Sequence, residues 1–338
     1  MPATTDDLEA ARLRIYALQD GAMRAQALAF CLRSDVFERL SSGPSTPEEL
    51  GLAPRVAPAL LAFLTSQGLA ERDKQGRFRA TPATEAFLVR SSPQFAGGRS
   101  LLFQGFHEQI GRLGEALGSG KPLADAGQAD LFGGFDDEDR RWFAEGMLAN
   151  AIAGAEHLLC EVDFGPFRRL LDVGGSSGGY TLALLEAQPS LQATIFDLPA
   201  MRPLAEERIV EHELDDRCRF VAGSFFDDLL PRGHDVLLLA NILHDWETAE
   251  CRRILAACHD AIGPGGTIVV VEPMLAEDLT GPDHASVSGL TMAMLGGENR
   301  TQSRIAGLLE EAGFGGVWHS SVGEQNSVVT ARKAGGGR

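Results

Sequence analysis

Two segments of the 338-residue chain combine residue types and spacings suited to holding a small charged ligand. Arg169-Leu-Leu-Asp-Val-Gly-Gly-Ser-Ser-Gly-Gly179 is an apolar run that passes into glycines. Gly174, Gly175 and Gly178 permit a tight turn and a close approach of backbone to ligand. Asp197 follows Gly174 by 23 residues, the position from which a carboxylate grips ribose hydroxyls. Together they point to a nucleoside-containing cofactor, although a glycine turn by itself is weak evidence. Asp172 then separates two cofactor classes. A dinucleotide sets its pyrophosphate against helix N–H groups at such a turn, where an adjacent acid repels it. S-adenosylmethionine (SAM) has no phosphate and carries an ammonium and a sulfonium, so an acidic turn suits it. Gly223-Ser-Phe-Phe226 adds an aromatic able to stack on adenine.

These residues need a scaffold, and the carboxyl-terminal half supplies a recognisable one. From residue 166, strand patterns at 169–173, 194–198, 218–224, 235–240 and 267–272 alternate with helical patterns at 180–187, 201–213, 248–262 and 302–312. Such alternation implies a mostly parallel sheet covered on both faces. Its ligands bind beyond the carboxyl ends of the strands, where the residues named above cluster.

The amino-terminal half reads differently. Residues 6–40 form a helical pattern with Leu8, Ala11, Ile15 and Leu18 on one stripe. Thr46-Pro-Glu-Glu49 has the form of a capping box, and a second helical pattern follows with Val56, Leu60, Leu61 and Leu64. Residues 69–81 read as two short strands about a polar turn at Gly76. Helix, helix, hairpin is a winged-helix pattern. Its would-be recognition helix, 55–67, holds a single basic residue, Arg55, and otherwise offers Ala, Leu, Val and Phe, which suits packing against protein and not phosphate. Residues 136–159 form a further helical pattern carrying Trp142, Phe143, Met147 and Ile152, an apolar stripe able to wall a pocket for a flat ligand.

Composition narrows the function classes. With 44% hydrophobic and 23% charged residues the chain is an ordinary folded one. Its formal net charge of −17 argues against nucleic acid or an anionic membrane as partner. Residues 1–100 hold 12 basic and 11 acidic side chains, whereas the remainder holds 18 against 36. Neither a leader segment nor a membrane span is apparent, and five cysteines without a Cys-x-x-Cys pair fit a reducing cytoplasm.

The most specific segment is Asn241-Ile-Leu-His-Asp-Trp246, directly after the fourth strand. Here the chain resembles the plant-type small-molecule O-methyltransferases and their bacterial members related to acetylserotonin and caffeic-acid O-methyltransferases. The resemblance covers nearly the whole chain. It is carried by Leu171-Asp-Val-Gly-Gly175, Phe196-Asp-Leu-Pro199, Gly223-Ser-Phe-Phe-Asp227, Leu243-His-Asp-Trp246, Gly263-Pro-Gly-Gly266, Val271-Glu-Pro-Met-Leu275 and Gly296-Gly-Glu-Asn-Arg-Thr301, in the family's order. It implies an α/β, Rossmann-like class I methyltransferase domain over 161–338 and an α-helical winged-helix dimerisation domain over 1–160. It also implies a homodimer that methylates a hydroxyl of an aromatic secondary metabolite with SAM.

The resemblance makes His244 the general base, for which an unperturbed pKa near 6.5 is suitable. Glu272 would orient its imidazole. The second acid of the family's Gly-Gly-x-Glu-Arg-Thr pattern is Asn299 here, with Glu298 one place earlier. Asn accepts a hydrogen bond but adds no charge. Cofactor contacts are expected from Asp172, Gly174, Gly175, Asp197, Leu198, Ser224, Phe225 and Asn241. Substrate contacts are expected from Phe143, Met147, Asp245 and Met294, with Phe103, Phe106 and Met292 as further apolar walls. The plant members' adenine-side acid is Ser224 here, and their basic residue before the His motif is absent at Ala240 and Asn241. Two other readings stay open. One is another reaction on this fold, such as C-methylation of a 2-oxo acid with a metal held by His244 and, distantly, His284 or Asp283. The other is a regulator or inactive partner, which the net charge and the intact His-Asp-Trp oppose.

Overall fold

The computed structural model describes residues 5–92, 94–123, 147–148, 151–152, 154–323 and 326–335. The chain divides into two compact units, Met1–Phe106 and His107–Arg338.

In the first unit the single helical pattern over 6–40 becomes three helices, Thr5–Gln19, Gly21–Arg33 and Val36–Ser41. Asp35, with φ of +54°, turns the chain between the last two. The capping box forms reciprocally: Thr46 N donates to Glu49 Oε2 at 2.7 Å, and Glu49 N donates to Thr46 Oγ1 at 3.3 Å. It closes only a turn, with Leu50 N on Thr46 O at 3.1 Å. Pro54 disfavours helical backbone at its predecessor, and the helix itself spans Ala57–Ser66. Strands β1 (Ala70–Arg72) and β2 (Phe78–Ala80) pair antiparallel with Ala70 opposite Ala80. Asp73 closes their turn by accepting from Gln75 N and Arg77 N, each at 2.9 Å. Leu32, Phe37, Leu40, Leu61 and Leu64 form the buried centre.

The second unit is built on a seven-stranded sheet ordered β5-β4-β3-β6-β7-β9-β8. Its strands are β3 (Arg169–Val173), β4 (Gln192–Asp197), β5 (Cys218–Ala222), β6 (Val236–Ala240), β7 (Thr267–Glu272), β8 (Phe314–His319) and β9 (Ser327–Lys333). The first five run parallel, and β9 joins β7 antiparallel. The pleat sorts side chains to two cores. Leu171, Val173, Leu237, Leu239, Ile268 and Val270 face one side, whereas Leu170, Val236, Leu238, Val269 and Val271 face the other. Fully burying each of these contributes roughly 1.5–3 kcal/mol.

The chain runs outward from β3 through β4 to β5, then returns to place β6 on β3's other side. The crevice at this reversal, beyond the carboxyl ends of β3 and β6, is where such a sheet binds ligands. The helices Gly179–Ala187, Thr248–Ala261, Asp283–Leu295 and Gln302–Glu311 carry or flank the loops that meet there.

Candidate active site

The loop after β3 is shaped by backbone that few residues tolerate. Gly174 has φ of +77°, and a Cβ there would collide with Ile242 of the loop after β6. At Gly175 a Cβ would lie 2.6 Å from the Asp172 carboxylate. Ser176 is left-handed as well, with φ of +52°, and its N–H donates to Asp197 Oδ2 at 2.7 Å. Asp197 Oδ1 accepts from Leu198 N at 2.6 Å. Asp172 lies on the same pleat face as Leu170, is 2% exposed and accepts from Thr181 Oγ1 at 2.7 Å. No cation pairs with Asp172 or Asp197 among the described residues. Burial therefore raises both: Asp197 to about 6 despite its two backbone donors, and Asp172 to about 7, where the Thr181 bond opposes the rise and Asp197 adds to it.

The wall beside this loop is aromatic. Phe225 and Phe226 meet edge to face at 4.7 Å, and both pack on Trp246, at 5.8 and 4.7 Å between centroids. Phe225 also lies 3.8 Å from where a Cβ at Gly174 would be. The Ser224 hydroxyl is engaged locally, donating to Asp227 Oδ2 at 2.9 Å and accepting from Phe226 N at 3.2 Å. Leu198 stands 44% exposed beside Asp197.

The loop after β6 has the opposite character: its polar groups are closely paired. Asn241 adopts φ of +56°, a conformation Asn accepts more readily than most residues. Its N–H donates to Val271 O at 2.8 Å, and its Oδ1 accepts from Asn326 Nδ2 at 2.8 Å. Glu272 ends a strand whose six residues are all buried. Its Oε1 accepts from Ile242 N at 3.0 Å and Leu243 N at 2.6 Å, which leaves Oε2 for His244 Nδ1 at 2.7 Å. On the ring's other side, His244 Nε2 lies 3.3 Å from Asp245 Oδ1. Burial acts to lower the imidazole pKa, but Glu272 and Asp245 outweigh it and raise the pKa to about 10.

A third segment, 297–301, closes over the His244 loop. Glu298 N donates to His244 O at 2.8 Å. Asn299 is buried, and its Nδ2 donates to Ala285 O at 2.8 Å. Its Oδ1 is buried with no hydrogen-bond partner, so Asn299 is near the histidine loop but not bonded to the imidazole. Arg300 reaches past it with a side chain only 1% exposed. The structure thus brings Glu272, Asp245 and the Asn299 segment around His244, and Arg300, Gly297 and Asn326 join them without a role having been assigned to them from sequence.

Of the expected substrate contacts, Met147 is half-buried and Met294 is fully buried. Phe143 and the side chain of Phe103 lie outside the described residues. Phe106 ends the first unit and Met292 is buried in the second. Among the described residues no group of three His, Cys, Asp or Glu side chains converges as a metal would require.

A glycine turn with two acids that no cation pairs among the described residues thus lies beside a histidine flanked by two carboxylates. A family model described as an O-methyltransferase domain matches residues 127–315. The chain belongs to the O-methyltransferase family. This methyltransferase is 33% identical over 303 residues to a 3-hydroxy-5-methyl-1-naphthoate 3-O-methyltransferase of Streptomyces sahachiroi, covering 88% of this chain and 87% of that one. It is 31% identical over 305 residues to an N,N-dimethyltransferase of Streptomyces rimosus, covering 86% and 87%. Its fold matches the crystal structure of human N-acetylserotonin methyltransferase in complex with SAM with a TM-score of 0.89, at 24% identity over 99% of this chain and 100% of that one. The enzyme is a SAM-dependent O-methyltransferase, with the class I methyltransferase fold and the cofactor expected from its acidic glycine turn.

The residues present fit that cofactor. The buried Asp172 and half-buried Asp197 carboxylates, neither paired with a cation among the described residues, and the Ser176 hydroxyl without a partner suit a ligand that brings positive charge and hydroxyl groups.

Proposed function

We propose that this methyltransferase acts on a hydroxyl of an aromatic secondary metabolite, with His244 as general base. The observation that carries the reading is the clamp on the imidazole, Glu272 on Nδ1 and Asp245 at Nε2. The naphthoate-acting relative supports an aromatic acceptor. When bound, SAM supplies an electrophilic methyl group to the acceptor oxygen. Glu272 keeps the proton on Nδ1, so the lone pair of the neutral ring sits on Nε2. The acceptor hydroxyl takes the place that Asp245 Oδ1 faces, and Nε2 receives its proton. A base raised to about 10 matches a phenol, whose pKa is also about 10, so the transfer is nearly level in energy. The cost is that the same rise keeps the ring mostly protonated at pH 7.

The remaining assignments belong to the same proposal. Asp197 would hold ribose hydroxyls with the lone pairs its two backbone donors leave free. Asp172 would contribute negative field through Gly174 and Gly175. Leu198, Ser224, Phe225 and Asn241 would line the cofactor. Phe143, Met147, Asp245 and Met294 would contact the acceptor, and Asn299 would offer its unpaired oxygen to it.

The functional division is proposed at residue 160, with 1–160 mediating a homodimer. This is supported by the apolar residues left exposed on the first two helices, among them Leu8, Leu13, Ile15, Leu18 and Met23. Equilibrium ultracentrifugation should return twice the 36.1 kDa chain mass. A cytoplasmic location is supported by five cysteines that are all free.

The test is a mass-spectrometric screen of phenols, the matching anilines and 2-oxo acids with SAM. Methylation of phenols is expected, and His244→Ala should lower turnover by about 10²–10⁴ at unchanged SAM affinity. Full activity of that variant overturns the base assignment. A second reading, methylation of an aromatic amine, is favoured by the N,N-dimethyltransferase relative. Preference for the anilines would establish it.

A further inference from the structure

The His244 loop is short, and its conformation is unusual at both ends. It leaves β6 through the left-handed Asn241 and makes a single 3-10 turn over Leu243–Asp245. Such a turn holds its own shape weakly, because its carbonyls lack the partners that a longer helix would give them. Something else must fix the ring, and Glu272 fixes only the N–H side, through Ile242 and Leu243.

The carbonyl side is held chiefly by Arg300, with the weaker donor of the Cys251 thiol on the same Leu243 O and Trp246 O at 3.2 and 3.5 Å. Arg300 Nη1 donates to Leu243 O at 2.8 Å and to Glu298 O at 3.1 Å. Its Nη2 donates to Trp246 O at 2.8 Å and reaches Thr248 Oγ1 at 3.5 Å. Glu298 Oε2, 3.2 Å from Nη2, is its carboxylate partner. The guanidinium thus spans the carbonyls on either side of His244 and Asp245 from one rigid plane. Its backbone is anchored in turn, since Leu275 N donates to Arg300 O at 3.1 Å and Leu275 pairs with Thr301 as a parallel bridge. Gly297 completes the contact. A Cβ at 297 would collide with His244 O, so the two segments meet only because that position carries no side chain.

We propose that Arg300, with Gly297 as its close-contact partner, is a positioning residue: it sets the angle at which His244 presents Nε2 by locking the two carbonyls that bracket the His-Asp pair. Its guanidinium bonds are spent on the loop backbone, Thr248 and Glu298. Glu272 and Arg300 are then two halves of one device, the first gripping the loop's donors and the second its acceptors. A ring held from one side only can rotate away from Glu272 Oε2, and the transfer geometry loosens with it. Displacements near 1 Å in such arrangements cost about 10²-fold in rate. The inference rests on His244 being the base, so the test must separate the two.

The measurement is the titration of His244 by NMR of histidine-labelled protein without acceptor, on wild type, Arg300→Lys and Gly297→Ala, with His244→Ala to assign the signal. Lysine keeps the positive charge beside the loop but cannot bridge two carbonyls in a plane, so a moved titration reports geometry and not lost charge. Gly297→Ala leaves every charge in place and pushes on the same contact; if Arg300→Lys does not fold, it decides alone. The expected result is a midpoint lowered by at least one pH unit toward 6.5 in both, as the Glu272 contact lengthens. With a phenol found by the screen, kcat should fall about 10–100-fold while KM for SAM stays within about twofold. Folded variants whose His244 titrates as in wild type overturn the inference even if they melt earlier, because a purely structural role changes stability and not the titration. If the titration moves but His244→Ala remains fully active, the positioning stands and the base assignment is what fails.

Discussion

The loops leaving β3 and β6 sit on adjacent strands of one sheet, and each contains a left-handed residue that is not glycine, Ser176 and Asn241. They differ in what they leave unsatisfied. Around β3, the buried Asp172 and the half-buried Asp197 have no cation among the described residues, and both are raised above an ordinary aspartate. Around β6, Glu272 has two backbone donors and an imidazole, and the carbonyls of the His244 loop have Arg300. The first loop stores an unmet demand that a cationic ligand meets. The second has its charged groups paired before any ligand arrives. On the proposed reading, one fold keeps its cofactor cradle incomplete and its base preorganised, a division that makes binding and chemistry separately breakable.

The largest effect should come from breaking the complete side. Glu272→Gln keeps an oxygen for the Ile242 and Leu243 N–H groups but removes the charge on Nδ1. Turnover is expected to fall about 10²–10³-fold, with SAM affinity within about threefold in calorimetry. Breaking the incomplete side should do the reverse. Asp197→Asn is expected to weaken SAM by about 10–100-fold, the loss of charge-assisted bonds worth about 1.5–3 kcal/mol, with kcat at saturating SAM little changed. If each variant altered both quantities alike, the contrast between the loops would be lost.

A smaller effect follows from the raised aspartates. Their folded pKa values of about 7 and about 6 exceed the ordinary 3.8, so the free protein takes up protons on folding between these limits. Their burial therefore costs stability as pH rises from about 4 to 7, and a bound cation relieves that cost. The thermal shift produced by SAM should be larger at pH 8 than at pH 5.5, by about 2–4 °C for each kcal/mol relieved. An equal shift at both pH values would contradict ligand-met demand. The smallest effect is expected at Asn299. His244 already faces two carboxylates, so Asn299→Glu should change turnover by less than about fivefold; a larger gain would mean that the base lacks charge.

Much of this was legible in the sequence, for identifiable reasons. Apolar runs such as Val-Leu-Leu-Leu-Ala at 236–240 and Thr-Ile-Val-Val-Val at 267–271 announce buried parallel strands, and the structure places β6 and β7 there. Glu272 was visible through the resemblance, whose acid beside the histidine it matches, and the structure puts it 2.7 Å from His244 Nδ1. β8 and β9 were not singled out: Phe314-Gly-Gly-Val-Trp-His319 carries two glycines and alternates poorly, and only pairing with β9 makes it a strand. The helix Asp283–Leu295 escaped notice likewise, since it has apolar residues on several faces and no clear stripe. Arg300 was hidden for a different reason. A charged residue in a polar loop suggests an exposed side chain, and only the fold shows this one buried against three carbonyls. The one-residue offset of the acid was plain, but its consequence was not. Glu298 turns outward to Arg300 and Arg304, and Asn299 turns inward to Ala285.

The central claim, that a preorganised His244 raised by its carboxylates takes the acceptor proton, is tested most directly by the pH dependence of kcat/KM for a phenolic acceptor at saturating SAM. With the imidazole near 10, the rate should climb about tenfold per unit between pH 7 and 9 and level only near 10. In Glu272→Gln the climb should shift toward lower pH. A profile already flat from pH 7 to 9 in the wild-type enzyme would contradict it.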